Sequence, residues 1–182
     1  MALGATMYRF QVSLSDVDGG VYESLDLRLA RHPSESARYL LLRTLVYCLS
    51  YEDGIAFSKG GLSSTEEAAV SVRDRTGALQ HCIEIGSPSA ERLHRASKSA
   101  PRVSLFSAAE LKLLRREAAS REIHRLEQIA LYRPTPAFLD AFEAVLDRNL
   151  QFELVRNAAV VYVSLASARF ETPLEQESLV EA

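Results

Sequence analysis

Apolar and polar positions alternate at both ends of the chain and recur at helical spacing through its middle. In residues 5–15, Tyr8, Phe10, Val12 and Leu14 point one way. Residues 21–31 alternate again, with Leu25, Leu27 and Leu29 inward and Ser24, Asp26 and Arg28 outward. The segment between them, Asp16-Val17-Asp18-Gly19-Gly20, is a turn signal. The pattern predicts an N-terminal β-hairpin with one wet face. A helix over 35–51 follows, opened by Pro33 and capped by Ser34, with Glu35 at the positive end of its dipole. It is apolar nearly all round, which predicts packing on more than one side.

Residues 52–68 lack a clear period. Phe57-Ser58-Lys59-Gly60-Gly61-Leu62 reads as a glycine loop, followed by an acidic stretch through Glu66 and Glu67. Strands are expected at 69–73 and 78–85, joined by a turn at Asp74-Arg75-Thr76-Gly77. A helix over 88–99 has Ser87 as its cap and Pro88 at its first position. A strand at 102–106 follows, then a helix at 108–122 opened by the capping box Ser107-x-x-Glu110. A strand at 127–132 precedes a helix at 135–148 with Phe138, Leu139, Phe142, Val145 and Leu146 on one face. Strands at 150–156 and 159–165 complete the set. The helix over 88–99 is long enough to be a crossover, so strands 78–85 and 102–106 should be parallel. The expected fold is α/β (α+β), a mixed sheet flanked by helices. It forms one domain over 1–165, with an acidic tail at 166–182 whose few packing residues suggest disorder.

Composition narrows the class. Hydrophobic residues make up 47% of the 182 residues and charged residues 25%, the balance of a globular domain with a sizeable core. The net charge of −3 gives no bulk argument for nucleic-acid binding. Cys48 and Cys82 both sit in apolar runs and read as reduced core residues of a bacterial-type cytoplasmic protein. The apolar runs are too short for a membrane helix. None of His32, His81, His94 and His124 has a spacing typical of zinc sites.

The strand 78–85 delivers Glu84 to its C-terminal end, turns at Gly86-Ser87-Pro88, and enters a helix bearing Arg92, Arg95 and Lys98. Ligand sites in open α/β sheets lie outside such strand ends. An acid facing basic side chains there suits metal-assisted phosphate chemistry. It equally suits a structural ion pair between Glu84 and Arg92 or Arg95. Residues 91–125 are the basic region of an acidic chain, and either track a phosphate backbone or form the solvated faces of two helices.

Several blocks resemble the YaeQ family of bacterial proteins: Met1-Ala2-Leu3-x-Ala5-Thr6, Leu29-Ala30-Arg31-His32-Pro33-Ser34-Glu35, Phe57-x-Lys59-Gly60, Ile83-Glu84-Ile85-Gly86-x-Pro88 and Arg92-Leu93-x-Arg95-Ala96. The likeness runs in order and spacing through residues 1–165. It implies a variant of the PD-(D/E)XK restriction-endonuclease-like fold, and no settled activity. In that fold two carboxylates on adjacent strands hold Mg²⁺, and a lysine two residues after the second acid helps activate water. Glu84 fills the acid position, but Gly86 stands where the lysine would be, and Glu67-Ala68-Ala69 stands where the first acid should fall near residue 69.

Glu35 and Glu67 remain as substitute metal ligands beside Glu84, with Glu66 as a further acid nearby. Lys59 or Lys98 could supply the cation. Arg92, Arg95 and Lys98 are candidates for binding nucleic acid. Three readings follow: a degenerate nuclease-like protein that binds nucleic acid or a protein partner, an active Mg²⁺-dependent nuclease using Glu84 and Glu35, and a small structural or regulatory module. The substitutions at 69 and 86 favour the first.

Overall fold

The computed structural model describes residues 4–59 and 67–181. The chain gathers into two compact units, residues 1–49 with 134–175, and residues 50–133 with 176–182. No helix among the described residues is long and apolar enough to cross a membrane.

The first unit is built on the N-terminal hairpin. Strands β1 (Thr6–Asp16) and β2 (Val21–Arg31) pair antiparallel from Thr6↔Arg31 to Asp16↔Val21. Phe10, Val12, Leu14, Leu27 and Leu29 are buried while Gln11, Ser13, Asp26 and Arg28 are exposed, as strict alternation requires. Helix α1 (Ala37–Leu49) is buried on successive faces through Leu40, Leu41, Leu42, Leu45, Val46 and Cys48. It starts later than the sequence suggests. Ser36 is the residue whose hydroxyl accepts from a first-turn amide, that of Tyr39 (3.1 Å), while the Ser34 hydroxyl bonds the His32 ring instead.

The remainder of this unit comes from the second half of the chain. Helix α4 (Pro136–Ala144) is capped by the Thr135 hydroxyl, which accepts from the Phe138 amide. Strands β8 (Asn149–Asn157), β9 (Val160–Ser164) and β10 (Arg169–Pro173) complete a five-stranded sheet of order β10-β9-β8-β1-β2, in which β1 and β8 are parallel. Phe142 packs edge-on against Phe152 at 5.3 Å between ring centroids, and Phe138 against Phe170 at 5.4 Å.

The second unit has its own five-stranded sheet, β3 (Ile55–Phe57), β4 (Val70–Arg73), β5 (Leu79–Ile85), β6 (Arg102–Phe106) and β7 (Ala130–Tyr132), in that order. The first three strands are antiparallel. β5, β6 and β7 are parallel, with α2 (Ala90–Ser99) as the crossover between β5 and β6. Helix α3 (Leu111–Ala118) joins α2 in covering this sheet. The shared core includes Leu93, Val103, Leu105, Leu114, Ile129, Leu131 and Leu179.

The expectation of one mixed sheet is therefore corrected to two, each mixed. The parallel partner of β1 lies over a hundred residues along the chain, and local periodicity carries no trace of such a pairing. Ser89, not Ser87, caps α2, since its hydroxyl accepts from the Arg92 amide (3.2 Å). The proposed capping box at 107–110 does not form, because the Ser107 hydroxyl takes the Ala109 amide in a tight turn and the helix begins at Leu111. Within residues 166–181, β10 forms, Leu174 and Leu179 are buried, and Glu177 bridges in backbone register to Leu131.

Candidate functional site

Within the second unit a cleft of about 490 Å³ lies between α2 and the face of β3, β4 and β5. Its position follows from two periodicities. On α2, Arg92, Arg95, Ala96 and Ser99 recur at the three- and four-residue steps of one helix face, and all four line the cleft. On the strands, the register places Ala56 beside Ser71 and Ser71 beside Cys82, giving a row of small side chains. Arg73 and Glu84 extend the same faces of β4 and β5 in opposite directions. The register is pinned by Asp74, whose carboxylate accepts from the Thr76 and Ala78 amides (2.9 and 3.0 Å) and from the Gln80 side chain (2.8 Å). These bonds also hold the Asp74 carboxyl below its usual range, led by that from the Thr76 hydroxyl.

Glu84 sits at the deep end, only 4% exposed. The Arg92 Nε donates to its Oε2 at 2.7 Å, and Arg92 Nη2 donates to the Glu67 carbonyl oxygen at 2.7 Å. One guanidinium thus ties α2 to the end of β5 and to the segment entering β4. Burial pushes the Glu84 carboxyl above its usual range, against the lowering pull of the Arg92 bond and the charges of Arg92 and Arg95. Cys82, two residues earlier, has its Sγ 3.9 Å from Glu84 Oε1. Burial, with Glu84 adding to it, pushes this thiol up to about 12, so it is protonated and inert as a nucleophile. Glu67 Oε2 accepts from the Ser58 hydroxyl at 3.1 Å.

Of the residues singled out from the sequence, Lys59, Glu67, Glu84, Arg92 and Arg95 all line this cleft. Glu35 and Lys98 do not. Glu35 belongs to the first unit, where Arg43 grips both its oxygens (Nε to Oε1 2.8 Å, Nη2 to Oε2 3.0 Å) and the His32 amide donates to Oε2. Glu66, Gly60 and Gly61 lie outside the described residues. Arg73 was missed by sequence reasoning, although its place two residues after Ser71 puts it on the same strand face. Four cationic side chains, Lys59, Arg73, Arg92 and Arg95, thus meet two carboxylates, Glu67 and Glu84.

Much of the remaining basic region is structural. Arg125 donates to the carbonyls of Ser97 and Ala100, and Arg115 to that of Ser178. Ala69 stands across from Glu84 when the Val70↔Ile83 pairing is continued by one residue. Gly86 has φ +86°, a left-handed conformation in which a lysine would be strained, although no atom would obstruct its Cβ. Among the described residues no group of three His, Cys, Asp or Glu side chains is placed to hold a metal ion.

The family model described as YaeQ protein matches residues 1–174 of this chain. The uncharacterized protein YaeQ of Escherichia coli is 34% identical over 107 residues, a match that covers 59% of each chain. The protein of the same description from Salmonella typhi gives the same identity and coverage. The match thus spans less than two thirds of these relatives' length. Among solved structures, the YaeQ protein from Pseudomonas syringae superposes with a TM-score of 0.85 at 28% identity, covering 94% of this chain and 95% of that one. The YaeQ protein from Xanthomonas axonopodis pv. citri gives a TM-score of 0.86 at 24% identity, covering 96% and 98%, which is a likeness of fold. With the family model extending over nearly its whole length, this chain belongs to the YaeQ family.

Proposed function

We propose that this protein is a nuclease-like module that binds the phosphate backbone of nucleic acid in the cationic cleft, with weak or no cleavage. The observation that carries this reading is the state of Glu84: its carboxylate holds a guanidinium at 2.7 Å, and the neighbouring strand offers a methyl group at Ala69. Metal-dependent members of the PD-(D/E)XK fold need two carboxylates at this point. The donor set here does not fit Mg²⁺. Glu67 is bonded to the Ser58 hydroxyl, so Glu84 alone would leave such an ion held mostly by waters, and Arg92 already fills the place of a cation. What the cleft offers instead is an excess of fixed positive charge beside a neutral floor. Arginine and lysine in such numbers recognise phosphate oxygens by charge-assisted hydrogen bonds.

The test is purified protein with plasmid, single-stranded DNA and RNA, in Mg²⁺ or Mn²⁺, beside Glu84→Ala and Ala69→Asp. We expect salt-dependent binding with little or no cleavage by the unsubstituted protein. Robust cleavage that disappears in Glu84→Ala would restore an active nuclease. Neither binding nor cleavage would leave a structural or partner-binding module. Activity gained in Ala69→Asp would assign the loss of catalysis to that one position.

A further inference from the structure

The cleft's shape selects among nucleic acids, an inference that rests on the phosphate-binding reading above. Its walls run lengthwise along β5. At one end stand Leu79 and its cross-strand partner Arg73; at the other stand Glu84, Arg92 and Lys59. The five steps from Leu79 to Glu84, at about 3.3 Å each, make the cleft about 16 Å long. Helix α2 lies alongside in the opposite sense, with Arg92 at the Glu84 end and Ser99 at the Leu79 end. For 490 Å³ this length gives a mean cross-section on the order of 30 Å². The space is a trough. A trough of that section is too narrow to enclose a double helix, whose two grooves alone are about 8.5 and 7.5 Å deep.

The chemistry is also laid out lengthwise. Lys59 and Arg92 lie at one end, Arg95 one helical turn further on, and Arg73 at the other end, so positive charge is distributed along the trough instead of gathered at a point. The floor between them is the cross-strand row Ala56, Ser71 and Cys82, uncharged because the Cys82 thiol is held protonated. Phe57 and Leu79 add apolar surface to the lining. Cations in series beside a neutral, partly aromatic strip match a single polynucleotide strand, with charged backbone on one side and flat bases on the other.

We propose that the trough binds one strand of nucleic acid over a few nucleotides, with its phosphates along Lys59, Arg95 and Arg73, and that it excludes duplex.

The experiment is fluorescence anisotropy with a labelled 12-nucleotide single strand and the blunt duplex of the same sequence, at one fixed salt concentration. It uses the full chain and the variants Ser71→Phe, Arg73→Glu and Lys112→Ala. Thermal unfolding establishes that each variant is folded. We expect the single strand to bind at least tenfold tighter than duplex. Ser71→Phe, which fills the floor without changing charge, should lose at least tenfold, as should Arg73→Glu; Lys112→Ala, outside the trough, should bind within twofold of the parent. Duplex bound as tightly as single strand overturns this inference and leaves the phosphate-binding reading standing. A folded Ser71→Phe that binds normally also overturns it, because the strand would then lie elsewhere. Binding of neither form in a salt-dependent way overturns both.

Discussion

Glu35 and Glu84 are both buried acids, and both are held by arginine, yet their surroundings give them different roles. Glu35 is closed on every side: Arg43 takes both oxygens and the His32 amide takes one of them again. Removing one partner of such a pair strands the other charge, at a cost of about 3–5 kcal/mol. Glu35→Ala should therefore lower unfolding free energy by about 3 kcal/mol in a urea titration, and a loss under about 1 kcal/mol would contradict a structural role. Another buried group adds a pH dependence to stability. His81 is buried, with Nε2 2.8 Å from the Ser104 hydroxyl, and with Nδ1 3.8 Å from Glu52, too far for a hydrogen bond. Burial first, then the charge of Arg102, bring its pKa down to about 4, against the opposing pull of Glu52. In the unfolded chain the ring protonates near pH 6.5. Between those values the unfolded state binds a proton that the folded state refuses. Stability from His81 is then complete above about pH 6.5 and falls as the pH drops toward 4, by about 2–3 kcal/mol. Glu84, with its pKa raised, acts in the opposite sense. His81→Gln should flatten the pH dependence of stability across this window, and an unchanged slope would show that His81 is not its source.

At the scale of elements, the clearest strain lies in the β8–β9 hairpin. Its two-residue turn is Ala158-Ala159, with φ of +51° and +56°. This is the left-handed pair that two-residue hairpins require and that Asn-Gly ordinarily supplies. The Asp18 carboxylate accepts from both amides, at 2.8 and 2.9 Å, and holds the turn in place. Ala159→Gly should raise unfolding free energy by about 0.5–1 kcal/mol, because relief of the left-handed penalty outweighs the added freedom of the unfolded chain. Asp18→Ala should lower it, both effects being read from denaturant midpoints. Elements differed in how legible they were. The hairpin β1–β2 was readable because alternation specifies face and extent together, and β5, buried on both faces from His81 to Ile85, because turn glycines bound its apolar run. Helix starts were missed by about two residues where several serines competed for the cap, as at 34 and 36 or at 87 and 89, and only backbone geometry chooses among them. The helix expected over 108–122 is confined to Leu111–Ala118, since polar periodicity continued beyond the point where burial stops.

For the whole molecule, charge and topology lead to separate expectations. A chain of net charge −3 repels polyanions at a distance, so binding must arise from the local excess of cations in the cleft. With Arg92 shared with Glu84, about three cations remain to meet phosphate, and at about 0.7 per contact on a single strand the slope of log K against log salt should be near −2. A slope steeper than about −5 would transfer binding to the wider basic surface of α2 and α3. The members of this cleft were legible one by one, Glu84 from its strand end and Arg92 and Arg95 from helical spacing. Their meeting with Lys59 was expected as well, from a strand end, the next helix and a glycine loop; the absence of Glu35 and the presence of Arg73 were not, because the second depends on a register fixed by Asp74 and on a β3 too short to announce itself. The existence of two sheets was equally hidden, since the pairing of β1 with β8 brings together Phe10 and Leu150.

That pairing has a consequence for how the protein is made. A ribosome adding about 5–20 residues per second finishes β2 at Arg31 well before it delivers β8 at Asn149. For roughly 6–24 seconds on that scale, the hairpin exists without the strand that will lie beside it. During that interval the apolar row of Phe10, Val12 and Leu14 lacks Phe152 and Leu154, and β1 presents an open hydrogen-bonding edge. The second unit likewise waits for Leu179, over forty residues after β7, to complete its core. Both units are therefore completed by segments made long after their first strands, and the nascent chain carries exposed apolar surface through most of that interval.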